Sequence, residues 1–130
     1  MRLTMQGEYA VRAMLGLAGQ YGKGLISAKE LASCQDIPPV FLTKILSSLA
    51  KNGLIVSHRG SRGGIELAKH PSSITLRAVI EAIEGPFKLN ICLGEPGSYE
   101  RRPTCKVHRV WHRAQDVLLK ELDVTLNELV

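Results

Sequence analysis

Between Met5 and Gln20 the apolar residues Tyr9, Ala10, Met14, Leu15, Leu17 and Ala18 recur at helical spacing, with Thr4 placed to cap and YGKG ending the pattern. In SAKE, Ser27 and Glu30 have the spacing of a capping box, where each side chain accepts a free backbone N–H of the other's turn. A short second helix is predicted over 28–34. QDIPP then makes a tight turn. Pro39 suits the first turn of a third helix, because its missing N–H would be unpaired there, and Asn52-Gly53 supplies a left-handed stop. The third helix is expected over 39–52.

Beyond that stop, LIVSHRG and GIELAK alternate as two short strands, and SRGG between them has the glycine for a turn with positive φ. Ser73 is expected to cap the helix TLRAVIEAIEG, whose Ile74, Leu76, Val79, Ile80 and Ile83 form one apolar stripe ended by Gly85 and Pro86. A loop rich in glycine, proline and arginine follows. VHRVWHRAQDVLLKEL then carries Val107, Val110, Trp111, Ala114, Val117, Leu118 and Leu122 at spacings of three and four, and TLNE offers a last capping box. The fold class expected is mainly α with a small β-hairpin wing: a winged helix-turn-helix over 1–75, then a cysteine-bearing loop and a long C-terminal helix, expected to serve dimerisation, over 76–130.

In the third helix Leu42, Ile45, Leu46 and Leu49 are expected to face the core. Val40, Thr43, Lys44, Ser47 and Lys51 then lie on the side that can enter a major groove. The wing tip HRGSRGG adds Arg59, Ser61 and Arg62 on a loop that can approach a minor groove or phosphates. Charge sharpens this. The net +5 resides in residues 1–75, which hold nine Lys/Arg against four acids, whereas the rest is balanced. Two lysines on a helix are by themselves an ordinary solvated face; helix pair, wing and localised charge together favour double-stranded DNA. Aromatic residues are only 5% of the chain, which argues against a stacking platform for single strands.

A long amphipathic helix after a complete winged domain has little core left to cover. Its Val/Trp/Leu stripe is expected to pack on a copy of itself, with Trp111 an interface anchor, or else to fold back on its own domain. A homodimer would read a roughly palindromic operator. No apolar run approaches the roughly 20 residues of a membrane span, so the expectation is a soluble, cytoplasmic protein.

In that compartment three cysteines read as thiols, metal ligands or redox sensors rather than as a disulfide framework. Cys105 and His108 stand close enough in sequence to converge on one metal, and Cys92 lies across the loop. Three ligands do not close a site. Ser98, Cys34, or Glu8 from another subunit are candidates for a fourth, and either zinc or an iron-sulfur cluster fits the inventory. Otherwise Cys34 is expected to be a packed thiol, and Glu8 a first-turn acid complementing the helix dipole.

The segments MRLTMQGEYAVRAM, IPPVFLTKILSSLAKNGLIVSHRGSRGGIEL, SSITLRAVIEAIEG, CLGEPGSYERRPTCKVHRVW and VTLNELV, in that order, resemble the bacterial IscR/NsrR family of winged helix-turn-helix transcription regulators, and most of all its iron-sulfur cluster regulators. The resemblance implies a homodimeric DNA-binding regulator with a 2Fe-2S cluster that senses cluster, redox or nitrosative status. It implies Cys92, Cys105 and His108 as ligands, with reading helix and Arg59 on DNA, and a carboxylate such as Glu8 as a ligand in some members. The chain departs from the pattern at Ser98, where the family has its middle cysteine. A hydroxyl proton is much harder to remove than a thiol proton, so the cluster is weakened or absent, or another group supplies the ligand. Two alternatives stand beside this: a cluster-free repressor of the same fold controlled by thiol oxidation or a partner protein, and, remotely, a small zinc enzyme.

Overall fold

The structure is a computed structural model and describes residues 3–89, 93 and 106–130. Helix α1 spans Met5–Gly19, and the Thr4 hydroxyl accepts its Gly7 N–H at 3.1 Å. Helix α2 spans Ala28–Gln35, with the Ser27 hydroxyl accepting from the Glu30 N–H, one half of the expected box. It stops at Asp36, a non-glycine residue held at φ 53° while its carbonyl accepts from Arg12 at 3.4 Å. Helix α3, Pro39–Lys51, begins on Pro39 and is followed by Gly53 at φ 71°.

Strands β1 (Ile55–His58) and β2 (Gly64–Leu67) pair antiparallel, Ile55 opposite Leu67 and His58 opposite Gly64. The positive φ of the turn falls on Gly60 at 105°, ahead of SRGG. The later glycines serve close approach instead. A Cβ on Gly63 would run into the His58 carbonyl, and one on Gly64 would meet the Ile26 carbonyl at 2.8 Å. That closeness lets Ile26 and Ile65 exchange two backbone hydrogen bonds, which fastens the wing to the segment leading into α2.

The cap expected at Ser73 is corrected to Thr75. Ser73 closes a 3₁₀ turn, Pro71–Ser73, and α4 (Leu76–Glu84) is capped by Thr75, whose hydroxyl accepts from Ala78 at 3.0 Å. The hydroxyl that caps is the one on the extended residue directly before the first helical one, and Ile74 between them is buried in the core. Helix α5 spans His108–Leu122 and α6 Leu126–Leu129, where the Thr125–Glu128 capping box forms, with Thr125 N–H donating to Glu128 Oε2 at 2.8 Å.

α1 packs on α2, α3 and α4, and the apolar faces close over Ala13, Met14, Leu42, Ile45 and Leu49. The same core crosses residue 75 to take in Val79 and Leu126. Glu84 reaches back to accept from the Thr4 N–H at 2.6 Å, so the end of α4 is tied to the start of α1. Arg77 spans Glu81 (3.1 Å) and Asp123 (3.8 Å); the bond to Glu81 raises the already high Arg77 pKa. Among the described residues no helix is long and apolar enough to cross a membrane.

Candidate nucleic-acid interface and sensory loop

α3 turns Leu42, Ile45 and Leu49 into the core, with Leu46 half-buried against it. The opposite side is exposed as the spacing predicted: Val40 (74% exposed), Thr43, Lys44, Ser47 and Lys51. Thr43 donates to the Pro39 carbonyl at 3.2 Å, so its hydroxyl is already committed to its own helix and its methyl is the more available group. At the wing tip Arg59, Ser61 and Arg62 are all exposed.

Between α3 and the wing runs a groove of about 500 Å³. Thr43 and Ser47 line one side, Ser57, His58 and Gly60 the other, and Ser27 with the first turn of α2 forms its end. The sequence marks Ser27 only as a helix cap and does not pick out Ser57 or His58. The signal for the last two was strand alternation, which puts a residue on a face but does not say what faces it. Glu66 stands 3.8 Å from His58 across the hairpin, an acid on the basic wing. A DNA strand running along this groove would meet hydroxyls and a helix N-terminus, groups suited to phosphates.

The apolar stripe of α5 is two faces. Gln115, Leu118 and Leu122 are partly buried and turn inward: Gln115 Oε1 accepts from Leu89 N–H at 2.7 Å, while Leu118 and Leu122 wall a groove of about 410 Å³ with Val11, Ile80 and Phe87. Trp111 falls on the same side of the helix and is 37% exposed. Val107, Val110, Ala114 and Val117 are spaced three, four and three apart and all are exposed, Val117 to 64%. That is the spacing of a coiled-coil seam.

Of the loop residues, Cys92, Ser98 and Cys105 lie outside the described residues. His108 opens α5, and its Nδ1 is buried without a hydrogen-bond partner among the described residues. Glu8 is half-buried at the rim of the apolar groove, 3.4 Å from Arg12. Cys34 departs from expectation: it is exposed, because Leu31 and Ala32 take the inward side of α2. No group of three His, Cys, Asp or Glu side chains converges for a metal among the described residues.

Residues 3–130 match the Rrf2 family, described as an iron-dependent transcriptional regulator. The HTH-type transcriptional regulator IscR of Escherichia coli is 37% identical over 131 residues, covering all of this chain and 80% of that protein. Among solved structures, CymR, the global cysteine regulator of B. subtilis, superposes with TM-score 0.79 at 30% identity, covering 99% of this chain and 95% of that one. The IscR of T. potens superposes with TM-score 0.75 at 29% identity, covering 99% and 86%. These relatives are named regulators, not enzymes, so the zinc-enzyme alternative falls away. With its mostly helical body and two-stranded wing, the chain belongs to the Rrf2 family of winged-helix transcriptional regulators.

Proposed function

We propose that the chain is a homodimeric, sequence-specific regulator that reads a roughly palindromic operator in duplex DNA and changes its affinity when the Cys92–His108 loop takes up an iron-sulfur cluster, most simply a 2Fe-2S cluster. The observation that carries the DNA half is that Thr43 and Ser47 of α3 line one groove with Ser57, His58 and Gly60 of the wing, while Val40 and Lys44 on the same helix and Arg59, Ser61 and Arg62 on the same hairpin are exposed. α3 would enter the major groove and read base edges, while the wing arginines follow the backbone. The dimer rests on the outward Val107/Val110/Ala114/Val117 seam, which stays uncovered after the other face of α5 has packed on its own domain.

The loop's donors fit such a cluster in part. His108 has a buried ring nitrogen that nothing in the described residues satisfies, as expected of an imidazole waiting for a ligand. Cys92 and Cys105 would supply thiolates, and the cluster when bound would supply reversible redox chemistry. Ser98 leaves the sulfur set one short, so a weakened cluster is part of the proposal, with Glu8 of a second subunit a candidate oxygen donor. The loop precedes α5, so an occupied loop can bias the position of the seam and with it the spacing of two reading helices. The family's description as iron-dependent and the IscR relatives support an iron-bearing loop.

Anaerobic reconstitution tests it. Iron and sulfide should be incorporated with visible absorption, and Ser98→Cys should raise cluster retention in air. A colourless protein containing neither element, in both forms, removes the cluster. Cluster-free control by thiol oxidation is then the second reading, supported by the exposed Cys34 and by the likeness to a cysteine regulator.

The wing has its own test. Replacing Arg59 and Arg62 by Ala should weaken binding to every duplex and flatten the dependence of log K on log salt by about 0.9 for each phosphate that is no longer neutralised. An unchanged slope takes these residues off the DNA.

A further inference from the structure

Beyond His108, two side chains on α5, His112 and Asp116, remain unused. His108 and His112 lie one turn apart, with ring centres 6.2 Å apart and ring planes at 58°. One turn further, Asp116 Oδ2 stands 3.2 Å from His112 Nδ1. By the roughly 100° rotation per residue of a helix, this row lies about opposite the Val107/Val110/Ala114/Val117 seam. A dimer built on the seam would leave it open.

An exposed histidine–aspartate pair at i and i+4 is by itself an ordinary helix pairing. Its effect on the ring is what matters. With Nδ1 facing a carboxylate, the hydrogen belongs on Nδ1 and the Nε2 lone pair points away, the way carboxylates orient metal-binding imidazoles. His108, one turn back, has a buried nitrogen with no partner among the described residues, which an ordinary surface pair does not explain. The distance is close. With metal–nitrogen bonds of about 2.1 Å, two imidazoles on one ion have ring centres about 4.5 to 5.5 Å apart, so the two rings must turn toward each other by about 1 Å to share it.

The geometry points to a two-imidazole metal-binding pair on α5, His108 with His112, in which Asp116 is the positioning residue. Imidazole nitrogen selects a borderline transition metal, zinc or iron, over calcium or magnesium. The inference rests on the reading above in taking His108 as a ligand, and it adds a second nitrogen where Ser98 leaves the loop short of a sulfur. The pair supplies two donors, and the remaining positions belong to other groups.

The test uses the full chain under reducing, anaerobic conditions, with His112→Gln, His108→Gln and Asp116→Ala as variants. His112 and Asp116 side chains are 59% and 63% exposed, and far-UV circular dichroism of the metal-free proteins checks that the helix is kept. In the first arm zinc affinity is measured by competition with a chromophoric chelator. Each histidine variant should lose tenfold or more, and Asp116→Ala about tenfold, as for other groups that orient a ligand. In the second arm iron and sulfide are reconstituted and nitrogen hyperfine couplings counted by pulsed electron paramagnetic resonance. Two imidazoles are expected in the parent and one in His112→Gln. Loss in the zinc arm alone assigns the pair to a zinc ion, and loss in the iron arm assigns it to the cluster. His112→Gln indistinguishable from the parent in both arms overturns the pair and leaves the loop reading standing. A parent chain that takes up neither metal overturns both.

Discussion

A Val110→Glu/Val117→Glu double variant is expected to run as a monomer, against the dimer proposed for the parent, and to bind the operator about 10³-fold more weakly, at the low end of the ratio separating specific from non-specific binding. The physical chain is short. Both valines are exposed in the single chain, so carboxylates there cost the isolated fold little. In a seam packed against its copy, each would carry a charge into an apolar contact and desolvate it. One reading head then engages one half-site, and the advantage of tethering two is lost. Analytical ultracentrifugation and binding to a selected duplex check both halves. A variant that stays dimeric moves the interface off this seam.

Leu126→Ala is expected to destabilise the fold by about 2–5 kcal/mol, the cost of a large-to-small change where the site cannot collapse. Leu126 is fully buried in the common core although it lies only four residues from the last residue described. The backbone holds it there: its N–H donates to the Ile74 carbonyl at 2.9 Å, and the Leu76 N–H donates to the Val124 carbonyl at 2.9 Å. Thr75 and Thr125 thus form a bridge that fastens α6 over the start of α4. Since whole domains are stable by only about 5–15 kcal/mol, urea denaturation should show a large drop in midpoint. A loss below about 1 kcal/mol would mean that α6 docks without bearing on stability.

Much of the DNA-reading half was legible because its signals are local. Thr4, Ser27 and Pro39 each mark a helix start through a bond, or a missing donor, within one turn of themselves. The exposed side of α3 followed from its 3.6-residue period. What escaped depends on the meeting of distant segments. Periodicity gave α5 one stripe, and only the packing of Leu118 and Leu122 with Val11 and Ile80 divides it into an inner face and an outer seam. Ser73 and Thr75 are both capping residues, and the backbone that buries Ile74 decides between them. The groove behind Ser57 and His58 needed the wing's position relative to α3, fixed by the Ile26–Ile65 bridge. His112 stands among the polar residues of α5, and only the side-chain geometry pairs it with Asp116 and sets it beside His108.

The chemistry of the loop was read from residue types and from likeness to a family, and its three positions Cys92, Ser98 and Cys105 lie outside the described residues. His108 is the point where that reading meets described geometry, through a nitrogen buried without a partner among the described residues.

If metal occupancy of this loop is coupled to DNA affinity, the affinities of the anaerobically reconstituted and the metal-free protein for the same selected duplex at one salt concentration should differ. The expected difference is about 5- to 150-fold, the range of ordinary allosteric coupling, with DNA changing cluster affinity by the same factor. Equal affinities in a preparation whose iron and sulfide content proves it loaded would contradict it.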